Sequence, residues 1–337
     1  MKKFLLVLAW LCAYGVGESN AAITIVGPTT EGLVDPEGLD VMQPRFSWKT
    51  QADGMQNVVQ TAYQLVVASS AEKLERGEYD LWNSGRVKSR EQLWIAYQGS
   101  VLHSKQVAWW KVKVWTNKGE SAFSEPAFWS MGLLADTDWR AQWIGLDRAM
   151  PHDSETQWSR LSARYLRKEF KTAKTVKTAR VYIAGLGLYE LYINGRRVGD
   201  QVLAPAPTDY RKSVLYNTYD VTSHLQQGAN ALGVVLGNGR YYTMRQNYKP
   251  YKINTFGYPK LRLNLTVTYT DGTTEEVVSN ASWKLNADGP VRSNNEYDGE
   301  IYDARKELGD WTRPGYDDRD WMPAGRVSIP AGKMKAQ

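Results

Sequence analysis

Cysteine is almost absent from this chain, and the one residue present, Cys12, lies in the first twenty positions. A disulfide framework is therefore excluded. Histidine is nearly as scarce: His103, His152 and His224 are too scattered for a metal cluster or a nucleophile–base pair and read as structural. Phenylalanine is rare too, with 6 residues against 14 Trp and 20 Tyr. Rings with a polar handle are thus preferred, which suits sheet faces and sites where a ring meets a polar ligand. No amphipathic helix of three or more turns appears, so all-α and α/β architectures are excluded. The formal charge of +6 is spread along the chain without a Lys/Arg block, which speaks against a nucleic-acid partner. Gly-rich phosphate or dinucleotide loops are also lacking. Gly185-Leu186-Gly187 and Gly237-Asn238-Gly239 have no third glycine and no following helix, and read as turns that need positive φ.

What is present is β-sheet. The chain of 337 residues is long enough for two domains, and its hydrophobic fraction of 42% is ordinary for a globular protein. Residues 1–21 look like a leader: Lys2-Lys3, the apolar run Phe4 to Tyr14, then Ser19-Asn20-Ala21 before Ala22. That run is too short to span a bilayer, so no transmembrane segment is expected, and the protein is expected to be exported to the periplasm or beyond. Trp10 and Leu11 before Cys12 do not suit a lipoprotein signal.

From 22 to 134, short strands alternate with turns. In Trp109–Trp115 the residues Trp110, Val112 and Val114 face one way and Trp109, Lys111, Lys113 and Trp115 the other. Ser69 or Ser70 can cap one short helix over Ala71 to Arg76. Strands at this spacing indicate an immunoglobulin or fibronectin type III sandwich. Leu133 to Asp138 reads as a linker. Residues 139–330 give further strands at Tyr165–Phe170, Ala179–Ala184, Tyr189–Ile193, Ala231–Leu236, Lys260–Tyr269 and Glu275–Val278. Asn194-Gly195 and Asp271-Gly272 serve as hairpin turns. A second all-β domain of this size reads as a jelly roll.

Two acidic stretches carry candidate chemistry. Along Asp298-Gly299-Glu300-Ile301-Tyr302-Asp303-Ala304-Arg305, a strand would place Glu300 and Tyr302 on one face and Asp303 on the other. Asp298 and Glu300 could form a glycosidase carboxylate pair. The alternative favoured here is that these carboxylates pair with Arg305 or Lys306. Asp317-Asp318-Arg319-Asp320 could supply oxygens to calcium, or make turns.

Taken in order, several segments resemble the N-terminal part of bacterial α-L-rhamnosidases of glycoside hydrolase family 78. The first domain carries Pro44-Arg45-Phe46-Ser47-Trp48, Leu81-Trp82-Asn83-Ser84-Gly85, Trp110-Lys111-Val112-Lys113-Val114-Trp115 and Phe128-Trp129-Ser130-Met131-Gly132-Leu133. The second carries Ala184-Gly185-Leu186-Gly187-Leu188-Tyr189, Gly228-Ala229-Asn230 and the 298–305 stretch. The resemblance implies a fibronectin-like domain followed by a galactose-binding-like β-sandwich. It also implies an exported enzyme hydrolysing terminal α-L-rhamnosyl residues of plant or microbial glycans. The family's catalytic acid and base sit in an (α/α)6 barrel of which this sequence shows no pattern, so no catalytic residue is assigned and the missing catalytic domain is the implied partner. Some β domains of this type bind rhamnose with calcium. No residues here match that site one by one, so no cofactor is required, calcium stays an option and no metal ligand is assigned. Candidate sugar-binding residues are Tyr241, Tyr242, Arg245 and Asn247, in a polar aromatic stretch without alternation, with Glu300 and Asp303. The expected partner is a rhamnose-containing oligo- or polysaccharide. The alternative reading is a free-standing carbohydrate-binding or cell-surface adhesion protein.

Overall fold

A computed structural model describes residues 22–153, 161–242, 255–296 and 299–337. The leader-like segment 1–21 lies outside them. The structure is 5% helical and 45% strand.

The first sandwich sets a three-stranded sheet, Ile23–Thr30, Arg45–Ala52 and Ile95–Ala96, against a five-stranded one centred on Gln60–Ala68 and Val107–Thr116. The expected alternation is kept: Trp110, Val112 and Val114 are buried while Trp109, Lys111, Lys113 and Trp115 are half-exposed. Phe46 and Trp48 fill the core from the other sheet, with the Phe46 ring 4.6 Å from Trp110 and 5.4 Å from Trp129. The Trp48 indole finds its one obligatory partner in Gln60 Oε1, at 3.1 Å. The short helix Ala71–Glu75 begins where the sequence places it, capped by Ser70 Oγ on Lys73 N at 3.2 Å.

The second sandwich is a jelly-roll pair of sheets. One has six strands, in the order Arg196–Arg197, Leu188–Ile193, Gly228–Gly237, Arg164–Thr172, Lys284–Asn286 and Met322–Pro323. The other is built on Lys260–Tyr269, Val176–Leu186 and Ser213–Asp220. Val181, Ile183, Leu263 and Leu265 of one sheet meet Leu191, Val234, Leu166 and Leu285 of the other in the main core. Asn194-Gly195 makes the hairpin turn the sequence announces, with φ of 52° and 80°.

The glycine pairs differ in part from expectation. Gly187 and Gly239 do adopt positive φ, at 98° and 50°. Gly185 and Gly237 lie inside strands and are required by close approach instead. A Cβ on Gly185 would meet the Tyr189 ring at 2.7 Å, and one on Gly237 would meet Asn294 Oδ1 at 2.8 Å. Asn230, from Gly228-Ala229-Asn230, is fully buried. Its amide donates to Thr172 Oγ1, Gln226 O and Gly228 O and accepts from Asn194 Nδ2 and Gln226 N. Its role is to tie two turns together.

The segment read as a linker, 133–138, is exposed at 135–137 but is anchored in apolar packing at both ends. Leu133, Trp139, Ala141 and Trp143 pack on the outer face of the second domain's sheet, over Tyr182, Ala184 and Tyr216. That cover is why Ala179–Ala184 is buried on both faces and does not alternate. Leu133 N donates to Tyr216 Oη at 2.9 Å, Arg180 pairs with Glu37 at 2.8 Å, and Lys105 pairs with Glu276. The two sandwiches are thus joined by apolar contact, hydrogen bonds and ion pairs at once.

Candidate functional site

A cleft of about 800 Å³ opens on the second domain, beside the six-stranded sheet. Its floor comes from strands Arg164–Thr172 and Leu188–Ile193, through Tyr165, Glu190 and Tyr192. One wall is the hairpin of Val291–Asn295 with Gly299–Tyr302, in which Asn294 pairs with Glu300 and Val291 with Tyr302. Glu300 and Tyr302 both line the cleft, as alternation along that strand requires. Leu203 stands at the rim, 73% exposed.

The floor is held rigidly. Tyr165 is buried edge-on against Trp311 at 5.4 Å, and its hydroxyl accepts from Val291 N at 3.3 Å. Burial pushes the Tyr165 phenol up to about 12, and the charges of Glu300 and Glu307 push the same way. The Tyr192 hydroxyl donates to Glu190 Oε2 at 2.6 Å; burial first, then this carboxylate, raise its pKa to about 12. Arg240 pairs with Glu296 at 3.0 Å. Of the rings lining the cleft, Tyr302 is 51% exposed, which leaves it free to stack on a ligand.

The residues singled out from the sequence fare differently. Tyr241 and Tyr242 are only 3% and 4% exposed, which corrects the expectation that they are free rings in a loop. Tyr241 packs edge-on to Tyr210 at 5.2 Å and stacks with Phe256 at 6.0 Å; Tyr242 stacks with Tyr258 at 5.4 Å. These two rings are thus buried in an irregular aromatic cluster. Arg245, Asn247 and Asp298 lie outside the described residues. Asp303 sits apart from the cleft lining. Its carboxylate caps the turn at Arg305 N (3.1 Å) and grips the Arg305 guanidinium at 2.8 and 2.7 Å, which lowers its pKa to about 2. Of the four candidates among the described residues, Glu300 alone lines the cleft. Tyr302 was within reach of sequence reasoning, since alternation already placed it beside Glu300. Glu190, Tyr192 and Glu307 were not, because only the fold brings those distant segments together.

In the aspartate run 317–320, two of the carboxylates have cationic partners. Asp317 grips Arg319 at 2.6 Å, and Asp318 pairs with Arg167, a guanidinium 1% exposed. Among the described residues, no group of three or more His, Cys, Asp or Glu is placed to hold a metal.

Residues 25–135 match the model of the Rha78A-like N-terminal immunoglobulin domain, and residues 174–337 that of the α-L-rhamnosidase N-terminal domain. An α-L-rhamnosidase of Formosa agariphila is 39% identical over 321 residues, 90% of this chain and 34% of its own length. One from an Alteromonas species is 36% identical over 293 residues, 86% of this chain and 32% of its own length. The solved α-L-rhamnosidase from "Dictyoglumus thermophilum" superposes with a TM-score of 0.84 at 41% identity, covering 93% of this chain and 35% of that one. That of Streptomyces avermitilis, complexed with L-rhamnose, gives 0.82 at 26% identity, covering 93% and 45%. The chain thus spans about a third of the length of the curated relatives it first matches. Alignment along nearly the whole chain supports the rhamnosidase reading and gives none to the free-standing adhesion protein. The chain belongs to the α-L-rhamnosidases of glycoside hydrolase family 78, of which it carries the N-terminal immunoglobulin-like and β-sandwich domains.

Proposed function

We propose that this chain is the accessory, glycan-holding part of an exported α-L-rhamnosidase acting on rhamnose-containing oligo- or polysaccharides. In this reading, the second domain's cleft holds the sugar. The observation that carries it is Tyr302: a half-exposed ring set beside Glu300, in a concave site large enough for one or two sugar rings. A pyranose presents an apolar face to such a ring and hydroxyls to the carboxylates beside it. Each hydroxyl exchanges bonds with water for bonds with protein, so it contributes only about 1 kcal/mol net. A monosaccharide therefore binds in the high-micromolar to millimolar range. The cleft carboxylates act in this reading as hydrogen-bond acceptors for sugar hydroxyls, so the chain by itself is expected to leave aryl α-L-rhamnosides intact. The leader-like residues 1–21 support export to the periplasm or the exterior.

The whole chain titrated with methyl α-L-rhamnoside by ligand-observed NMR tests the reading. Saturation transfer is expected, reduced at least severalfold in Tyr302→Ala. Transfer that is undiminished in Tyr302→Ala refutes this site. Nitrophenol release from an aryl α-L-rhamnoside, above that of Glu300→Gln, refutes the accessory role.

A further inference from the structure

Among the described residues, four glutamates, Glu190, Glu296, Glu300 and Glu307, line the cleft against one arginine, Arg240. Two of the four are offset. Glu296 pairs with Arg240 at 3.0 Å, and Glu190 lies 3.6 Å from Arg197. The other two, Glu300 and Glu307, have no cationic partner among the described residues. Both are exposed at the cleft, and both act on the Tyr165 phenol at its floor. The local sign is therefore opposite to that of the chain, which is formally +6.

From this juxtaposition we infer that the cleft discriminates against acidic sugars, so that the glycan residues it takes are neutral. The inference rests on the reading of the cleft as a sugar site. An anionic glycan, a uronate or a sulfate ester, is drawn to the protein's surface by its overall charge but meets two uncompensated carboxylates on entry. Two such charges roughly 8 Å from a ligand carboxylate, in a solvated cleft, weaken its binding about fivefold at low ionic strength. At about 0.5 M salt, the screening length falls to roughly 4 Å and most of the effect disappears. A neutral ring loses nothing, because carboxylates accept hydrogen bonds from its hydroxyls.

The test uses the whole chain and two probes that differ in one group: a rhamnosyl-glucuronic acid disaccharide and the same disaccharide with its carboxyl reduced to the alcohol. Calorimetry or ligand-observed NMR at low ionic strength is expected to show the reduced form binding about fivefold tighter, with the ratio falling toward one at high salt. In Glu300→Gln/Glu307→Gln the ratio is expected to be near one at every salt concentration. Both side chains are exposed, so the double variant is expected to fold, which far-UV circular dichroism checks. Equal or tighter binding of the acid, or a ratio unchanged in the double variant, overturns the inference while leaving the cleft a sugar site. If neither probe binds, the sugar reading itself falls and takes the inference with it.

Discussion

The joint between the two sandwiches gives the sharpest test of how the structure is held. At Gly132, an added Cβ would fall inside the van der Waals envelope of Tyr216 Oη and 2.8 Å from the carbonyl oxygen of Gly38. Tyr216 is 1% exposed, and its hydroxyl accepts from Leu133 N at 2.9 Å. Gly132→Ala must therefore displace either a hydroxyl or a backbone carbonyl, and overpacking of this kind costs about 1–3 kcal/mol. Tyr216→Phe removes the acceptor and leaves a buried N–H unpaired, at a cost of about 1–3 kcal/mol. The two costs share one cause, because an alanine at 132 pushes away the same hydroxyl that Leu133 needs. The double variant should consequently be less unstable than the sum of the singles, by about 1 kcal/mol or more. Urea unfolding of the four proteins followed by circular dichroism measures this, with unchanged m-values as the condition for comparing them. Additivity to within about 0.4 kcal/mol would refute the idea that one hydroxyl mediates both effects.

Other consequences are as direct. The Asp153 side chain is fully buried, 3.0 Å from Arg164 Nη2, and accepts from Ser162 N and Met150 N, each at 2.8 Å. Burial alone would raise its pKa, but the Arg164 charge and these bonds outweigh it and the net shift is downward. Its contribution is thus fully present above the ordinary carboxylate pKa of about 4 and lost as pH falls through its lower folded value. Asp153→Ala should cost about 3–5 kcal/mol at neutral pH, and the gap in melting temperature between variant and wild type should close in acid. A gap constant down to pH 2 would contradict the pairing. Asn230→Ala strips partners from Asn194, Gln226 and Thr172 and should cost about 3 kcal/mol in the same urea assay; a loss under 1 kcal/mol would show that water replaces those bonds.

Much of this architecture can be read from local pattern. Alternation at Trp109–Trp115, the cap at Ser70 and the turn at Asn194-Gly195 are short-range signals, and each appears where the residues place it. Tyr241 and Tyr242 were misread because burial of an irregular segment depends on Tyr210, Phe256 and Tyr258, which no local rule connects to them. Arg164 and Arg167 were equally hidden. A strand sequence does not reveal that Asp153 or Asp318 will arrive from elsewhere to neutralise a buried guanidinium. Half of the site was legible for the same reason: Glu300 and Tyr302 share a face by sequence rule, whereas the floor beneath them is assembled from segments more than a hundred residues away.

The close approach at Gly132 also constrains anyone recombining modules among these proteins. A chimera cut at the apparent linker would leave Leu133, Trp139 and Trp143 facing a foreign sheet. Glu37 would lose Arg180, and Lys105 would lose Glu276. Such a graft has to carry Gly38, Gly132, Thr218 and Tyr216 as one cassette, because the glycines are spaced to the side chains opposite them. A crossover in the exposed turn around Asp53 and Gly54 fails for the same reason, because it puts Glu37 and Gly38 on one side of the cut and Arg180 and Thr218 on the other. The domain boundary in the sequence and the seam in the folded protein are different places, and a cut at the first breaks the second.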